Sequence, residues 1–189
     1  MIKLYKKIAV LIISVFSLVS ACKTREPSGF YTSSPAEVEV SQQQGDFPQQ
    51  STWVLGYFTR ERMTIPPHSE WYFRGYNEYI PDSEVINKLK GISKEGLSIT
   101  IVLGTWCPDS RREVPRFMKI LDIWNFPVTD VTFIGVDDMK KSPIGDFEKL
   151  DIQRVPTFIL YRKNIEAGRI IENHVTSLEQ DIGNILSKE

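Results

Sequence analysis

The sequence predicts an α/β domain in which a central mixed sheet is flanked by helices, behind an amino-terminal extension that is helical and aromatic. Three observations lead there. Strand-like and helical segments alternate from Leu97 to Leu150, as they do when helices join parallel strands. Two further β-rich runs flank a turn at Lys163-Asn164 and read as a hairpin. Eight aromatics crowd the segment just before the first of these strands. The chain has 189 residues, 41% hydrophobic and 25% charged, which suits one folded domain with a tail. A formal net charge of -1 leaves no basic excess to grip nucleic acid, so that partner class is not expected.

The amino terminus reads as an address. Lys3, Lys6 and Lys7 precede an apolar run from Ile8 to Val19, too short for the ~20 residues of a membrane-spanning helix and suited to a signal-peptide core. The run ends in Val19-Ser20-Ala21-Cys22, which resembles the lipobox of bacterial lipoproteins. Small side chains let a peptidase reach the bond before Cys22, and the Cys22 sulfur then takes the lipid. The resemblance implies a signal peptide over 1–21 and a lipid-anchored protein of the bacterial cell envelope, facing the extracytoplasmic side. Several acyl chains give stable anchoring. An ordinary secretory signal with an incidental Cys22, or an uncleaved anchor, are the alternatives. Cleavage would remove three lysines and no acid, and so deepen the net negative charge.

Residues 22–52 read as a flexible tether. They are poor in aliphatics and carry Pro27, Pro35, Pro48 and the run Ser41-Gln42-Gln43-Gln44-Gly45. Val38 and Val40 alternate with acids and allow a short strand. Residues 53–94 form the extension. Ser69 is placed to cap a helix reaching Tyr79, with Trp71, Tyr72, Gly75, Tyr76 and Tyr79 on one face. Such a stripe could bind peptides or apolar ligands, but at helical spacing it is expected to pack on the domain as an extra layer.

Still within the extension, Pro81 and Asp82 open a helix over Ser83–Lys90, with Val85, Ile86 and Leu89 inward and Gly91 as its stop. Residues 95–189 form the main domain. Leu97–Leu103 is a buried strand, 104–109 a turn, and Ser110–Trp124 a helix. Val131–Val136 is a strand, Ile144–Leu150 a short helix, and Thr157–Tyr161 and Arg169–Glu172 the hairpin strands. Leu178–Leu186 closes the chain as a helix, with Leu178, Ile182, Ile185 and Leu186 on one side. The order is β-α-β-α-β-β-α.

The chemistry gathers at Trp106-Cys107-Pro108-Asp109-Ser110. Cys107 follows a buried strand and opens a helix, where backbone N–H groups and the helix dipole favour thiolate over thiol. A thiolate is the nucleophile of disulfide exchange. Together with Pro115 inside the helix, Asp137 after the central strand, Val155-Pro156-Thr157 before the next strand and the Tyr161-Arg162-Lys163-Asn164 turn, this pattern resembles the thioredoxin superfamily over about Leu97 to Lys188. The lipoprotein context is similar to the extracytoplasmic thioredoxins of the TlpA and ResA kind. The resemblance implies that Cys107 is the catalytic nucleophile. It also implies that Val155-Pro156 is a cis peptide beside Cys107 and that Trp106, Pro108, Val155, Pro156 and Thr157 line a substrate groove where a peptide adds like a strand.

Two departures from the family shape the expectation. Ser110 stands where the second, resolving cysteine would be, and Ile101 stands where the family often has a buried acid. A serine hydroxyl forms no disulfide, so two-thiol cycling within the chain is not available. Monothiol chemistry remains, with Ser110 able to donate a hydrogen bond to the Cys107 thiolate. The expected partners are protein or small-molecule thiols and disulfides. The competing reading is a non-catalytic protein-binding module on the same fold. Peroxide reduction is disfavoured because Gly104, not threonine, stands three residues before Cys107. Asp109 opposes a thiolate, while Arg111 and Arg112 offset it and could attract acidic substrates, or simply form a solvated helix face. His68 and His174 are far apart and lack ligand spacing, so no metal is expected, and without a glycine-rich phosphate loop no cofactor is expected.

Overall fold

A computed structural model of the chain describes residues 52–188. The signal segment, Cys22, Val38, Val40 and nearly all of the tether lie outside the described residues. The elements run β1 (Gly56–Phe58), α1 (Glu61–Thr64), α2 (Ser69–Glu78), α3 (Ser83–Lys90), β2 (Leu97–Leu103), α4 (Pro108–Trp124), β3 (Val131–Gly135), β4 (Thr157–Arg162), β5 (Ile165–Ile171) and α5 (Leu178–Leu186). Short 3-10 turns at Val128–Asp130 and Phe147–Leu150 complete the list.

The sheet is mixed, in the order β1-β3-β2-β4-β5. β2 lies parallel to β3 and antiparallel to β4, and β4 and β5 form the hairpin. Lys163 and Asn164 both hold positive φ, at 50° and 64°, which suits the two-residue turns whose twist matches flanking strands. The period-two pattern of β2 sorts its side chains. Ile99, Ile101 and Leu103 join the main core with Phe117, Phe158 and the inner faces of α2 to α5. Val102 faces a smaller cluster with Ile134, Val136, Phe147, Val155 and Cys107.

Several elements differ from the sequence reading. His68, not Ser69, sits at the N-cap of α2, and Ser69 is its first residue. The helix expected over Ile144–Leu150 is only the 3-10 turn Phe147–Leu150, because Asp146 just before it adopts left-handed backbone at φ 59°. β5 begins at Ile165 rather than Arg169. α3 keeps its expected bounds, capped by Asp82, whose side chain accepts from the N–H groups of Glu84 and Val85.

The extension does more than cover the domain, since β1 adds an antiparallel edge strand to β3. Gly135 makes that possible, for a Cβ there would lie 2.0 Å from the Val54 carbonyl oxygen. Tyr72 and Met63 are buried, and Trp71, Tyr76 and Tyr79 pack against the core. At the α2–α4 contact a Cβ on Gly75 would lie 2.6 Å from Cγ of Pro115. Alongside, Arg60 donates through Nη1 and Nη2 to both oxygens of Asp122, at 2.7 and 2.6 Å, and through Nε to the Tyr72 hydroxyl at 2.7 Å. The Tyr76 hydroxyl donates to the same carboxylate at 2.6 Å.

Two outcomes follow for stability. Gly135→Ala should lose about 1–3 kcal/mol in urea unfolding, because the new methyl meets backbone that cannot yield without releasing the Val54 segment. Burial alone would raise the Asp122 pKa, but the bonds from Arg60 and Tyr76 outweigh it and hold the carboxyl below its ordinary value of 3.8. A depressed carboxyl stabilises the fold fully above that ordinary value and loses its contribution as the pH falls below it. Asp122→Asn should therefore be less stable at neutral pH and show a shallower acid loss, read from unfolding midpoints across the acidic range.

Candidate functional site

β2 ends at the centre of the sheet, and a short turn delivers Cys107 to the start of α4. Gly104 has room for no side chain, since a Cβ would lie 2.6 Å from the Trp106 ring. Its carbonyl accepts from Cys107 N–H at 2.9 Å. Cys107 is the N-cap of α4, with extended φ and ψ of -75° and 124°, and Pro108 follows in the first turn, where its missing N–H costs nothing. Trp106 is fixed by its indole N–H, which donates to the Val136 carbonyl at 3.0 Å.

The turn brings Cys107 against the loop before β4. Val155-Pro156 is cis, and the Cys107 thiol donates to the Val155 carbonyl at 3.3 Å. Cys107 is 7% exposed, and Val155, Pro156 and Thr157 are buried. Thr157 donates its hydroxyl to the Arg154 carbonyl at 2.6 Å, while Glu172 N–H donates to the Pro156 carbonyl at 2.7 Å. The sequence-selected residues Trp106, Cys107, Pro108, Val155, Pro156 and Thr157 thus meet at one end of the sheet. Cys22 lies outside the described residues.

Ser110 is fully buried, and its Oγ accepts from Gly104 N–H at 3.3 Å, whereas the hydrogen bond of the Cys107 thiol goes to Val155. Asp109 is paired with Arg112 at 2.8 Å. Arg111 donates Nε to the Thr105 carbonyl at 2.7 Å, and the Thr105 hydroxyl accepts from Val54 N–H at 3.1 Å. That bond seats the extension on the turn and puts the Trp53 ring 6.1 Å from Trp106.

The sequence reading missed the buried acids Glu113, Glu179 and Asp181, of which Glu113 lies on α4. Glu113 is 1% exposed and receives Arg112 at 2.6 Å and Arg116 at 3.2 Å, with His174 3.8 Å away. Its place in an Arg-Arg-Glu run makes it look like part of a solvated helix face, and only tertiary packing removes it from water. Asp137 closes a turn with Lys141 through N–H···O bonds in both directions, as a strand-end turn does. Among the described residues no group of three His, Cys, Asp or Glu side chains is placed to hold a metal ion.

Comparison with known proteins supplies a relative. A Dictyostelium discoideum protein named "Putative thioredoxin-5" is 31% identical over 114 residues, covering 59% of this chain and 99% of that one. The chain belongs to the thioredoxin-like superfamily. That membership points to a thiol- or redox-related function. No family model matches the sequence. Among solved structures, a Pseudomonas aeruginosa protein of unknown function aligns with a TM-score of 0.47 and 14% identity, over 65% of this chain and 84% of that one.

The geometry assigns Ser110 a structural task that can be measured. Ser110→Ala should cost about 1–3 kcal/mol in denaturant unfolding, because it strands the buried Gly104 N–H.

Proposed function

We propose that this protein is a monothiol disulfide oxidoreductase or isomerase, lipid-anchored through Cys22 and acting on extracytoplasmic protein disulfides through Cys107. The observation that carries the reading is the contact of the Cys107 sulfur with the Val155 carbonyl, at a helix start, with serine in the resolving position. In this chemistry the Cys107 thiolate attacks one sulfur of a substrate disulfide. The substrate S–S bond breaks, a new S–S bond joins Cys107 to the substrate, and the displaced sulfur leaves as a thiolate that takes a proton. A second substrate thiol or an external thiol then attacks the mixed disulfide and restores Cys107. With the substrate's own thiol the net result is isomerisation and no net electron transfer. With an external thiol, the substrate is reduced and that thiol oxidised.

In the proposed groove the half-buried Trp106 and the exposed Pro108 offer the surface on which the substrate chain lies, beside the buried Val155-Pro156-Thr157 loop. The near-complete burial of Cys107 favours one competing reading, a non-catalytic protein-binding module of the same fold. The two part experimentally. Incubated with a protein disulfide, the wild-type chain should accumulate a mixed disulfide, seen by mass spectrometry and removed by dithiothreitol, and Cys107→Ser should form none. Ser110→Cys should gain insulin-reducing turnover. Absence of both the adduct and the gain would leave the binding module as the function.

A further inference from the structure

A cleft of about 570 Å³ lies between α2 and the first turns of α4, and Pro108, next to Cys107, forms part of its wall. Its volume is in the range that binds small ligands and short peptide segments. Four arginines line it, Arg74 from α2 and Arg111, Arg112 and Arg116 from α4, against the two acids Glu70 and Glu78. Arg74 pairs with Glu70 at 2.6 Å, an exposed pair that water screens. Arg112 and Arg116 rest on Glu113. Arg111 has no carboxylate partner among the described residues, and its bond to the Thr105 carbonyl uses only Nε. Arg112 also pairs with Asp109, so Arg111 is the guanidinium of the cleft that no acid among the described residues neutralises.

A second, independent feature lies on its α2 side. His68, 2% exposed, and Trp71 both line the cleft, and Nε2 of His68 and Nε1 of Trp71 are buried without a hydrogen-bond partner. Buried polar atoms are nearly always paired. An indole N–H only donates, so an acceptor is what it lacks. Burial first, and then the charges of Arg62 and Arg111, hold the His68 imidazole below its ordinary value, against a hydrogen bond with the Thr52 backbone that pulls the other way. The Trp71 indole N–H beside the arginine forks complements a carboxylate, which accepts several bonds at once.

We propose that the cleft is a subsite for carboxylate groups on the disulfide partner of Cys107, carried by an acidic peptide segment beside the reacting cysteine. The inference rests on the proposed thiol chemistry for its reacting partner, and the subsite itself makes and breaks no covalent bond. It gives the monothiol site a substrate class, since an acidic flank held in the cleft positions the neighbouring sulfur near Cys107.

The test separates binding from chemistry. In the full-length Cys107→Ser chain, the Trp71 indole N–H resonance, assigned with Trp71→Phe, should shift on titration with a short glutamate-rich peptide and not with its glutamine counterpart. Arg74→Gln combined with Arg111→Gln should weaken that binding about tenfold. No shift, or the same shift with both peptides, overturns the subsite. In the wild-type chain, the acidic peptide's disulfide should form the mixed disulfide about tenfold faster than the glutamine version at low salt, with the ratio shrinking as salt rises. Equal rates also overturn it. Glutathione disulfide tests the other source of carboxylates, and faster reaction with it than with the acidic peptide would overturn the peptide assignment in favour of a small thiol. Selective binding of the acidic peptide with no adduct from any disulfide would sink the thiol chemistry and retain the cleft as an acidic-peptide site.

Discussion

The close approach of α2 to α4 is the constraint on which the rest of this structure depends. The two helices meet at Gly75 and Pro115, where any side chain in place of the glycine hydrogen would strike the proline ring. Pro115 also lacks the N–H that would pair with the Arg111 carbonyl one turn back, so α4 is weakened where it is most tightly covered. Burial of Met63 and of the Tyr72 ring supplies about 1.5–3 kcal/mol each and outweighs the partly exposed Arg60–Asp122 pair as a source of stability. The charged network contributes direction instead. Asp122 accepts from Arg60 and Tyr76 together, which sets the rotation of α2 on α4.

That docking connects the extension to the chemistry. With α2 in place, the chain from Val54 runs along β3 and bonds the Thr105 hydroxyl, one residue before Trp106. Trp53 then stands over Trp106, and the basic first turns of α4 face α2 across the cleft. The added segment supplies one wall of the surface next to Cys107.

The legible parts of the sequence were those with local causes. α3 and β2 keep their expected bounds because Asp82 caps one and apolar residues pack both faces of the other. β1 was not legible: three residues, Gly-Tyr-Phe, carry no periodic signal, and their pairing depends on the absence of a side chain at Gly135 far along the chain. β5 started early for the same kind of reason, since Ile165 to Ala167 are exposed and show no alternation. At the site, the meeting of Cys107 with Val155 was what the family resemblance implied. The bond from Gly104 N–H to Ser110 did not, because it depends on how the intervening turn folds back.

Ser110 and Ile101 make one physical argument about what the site can do. Ile101 is fully buried in the main core beside Phe117 and Phe158, and an acid there would carry the desolvation cost of a buried charge. The family resemblance implies that such an acid serves the resolving thiol's proton in a two-thiol site. Where position 110 is an alcohol tied to the turn, that work has no object, and an aliphatic side chain packs the strand better. The apolar strand and the serine turn therefore form a consistent pair. In the proposed chemistry, control over the mixed disulfide passes from the chain to its partners: a bound substrate leaves when a second thiol reaches the Cys107 sulfur, and the buried approach along Val155 and Pro156 governs which thiols can.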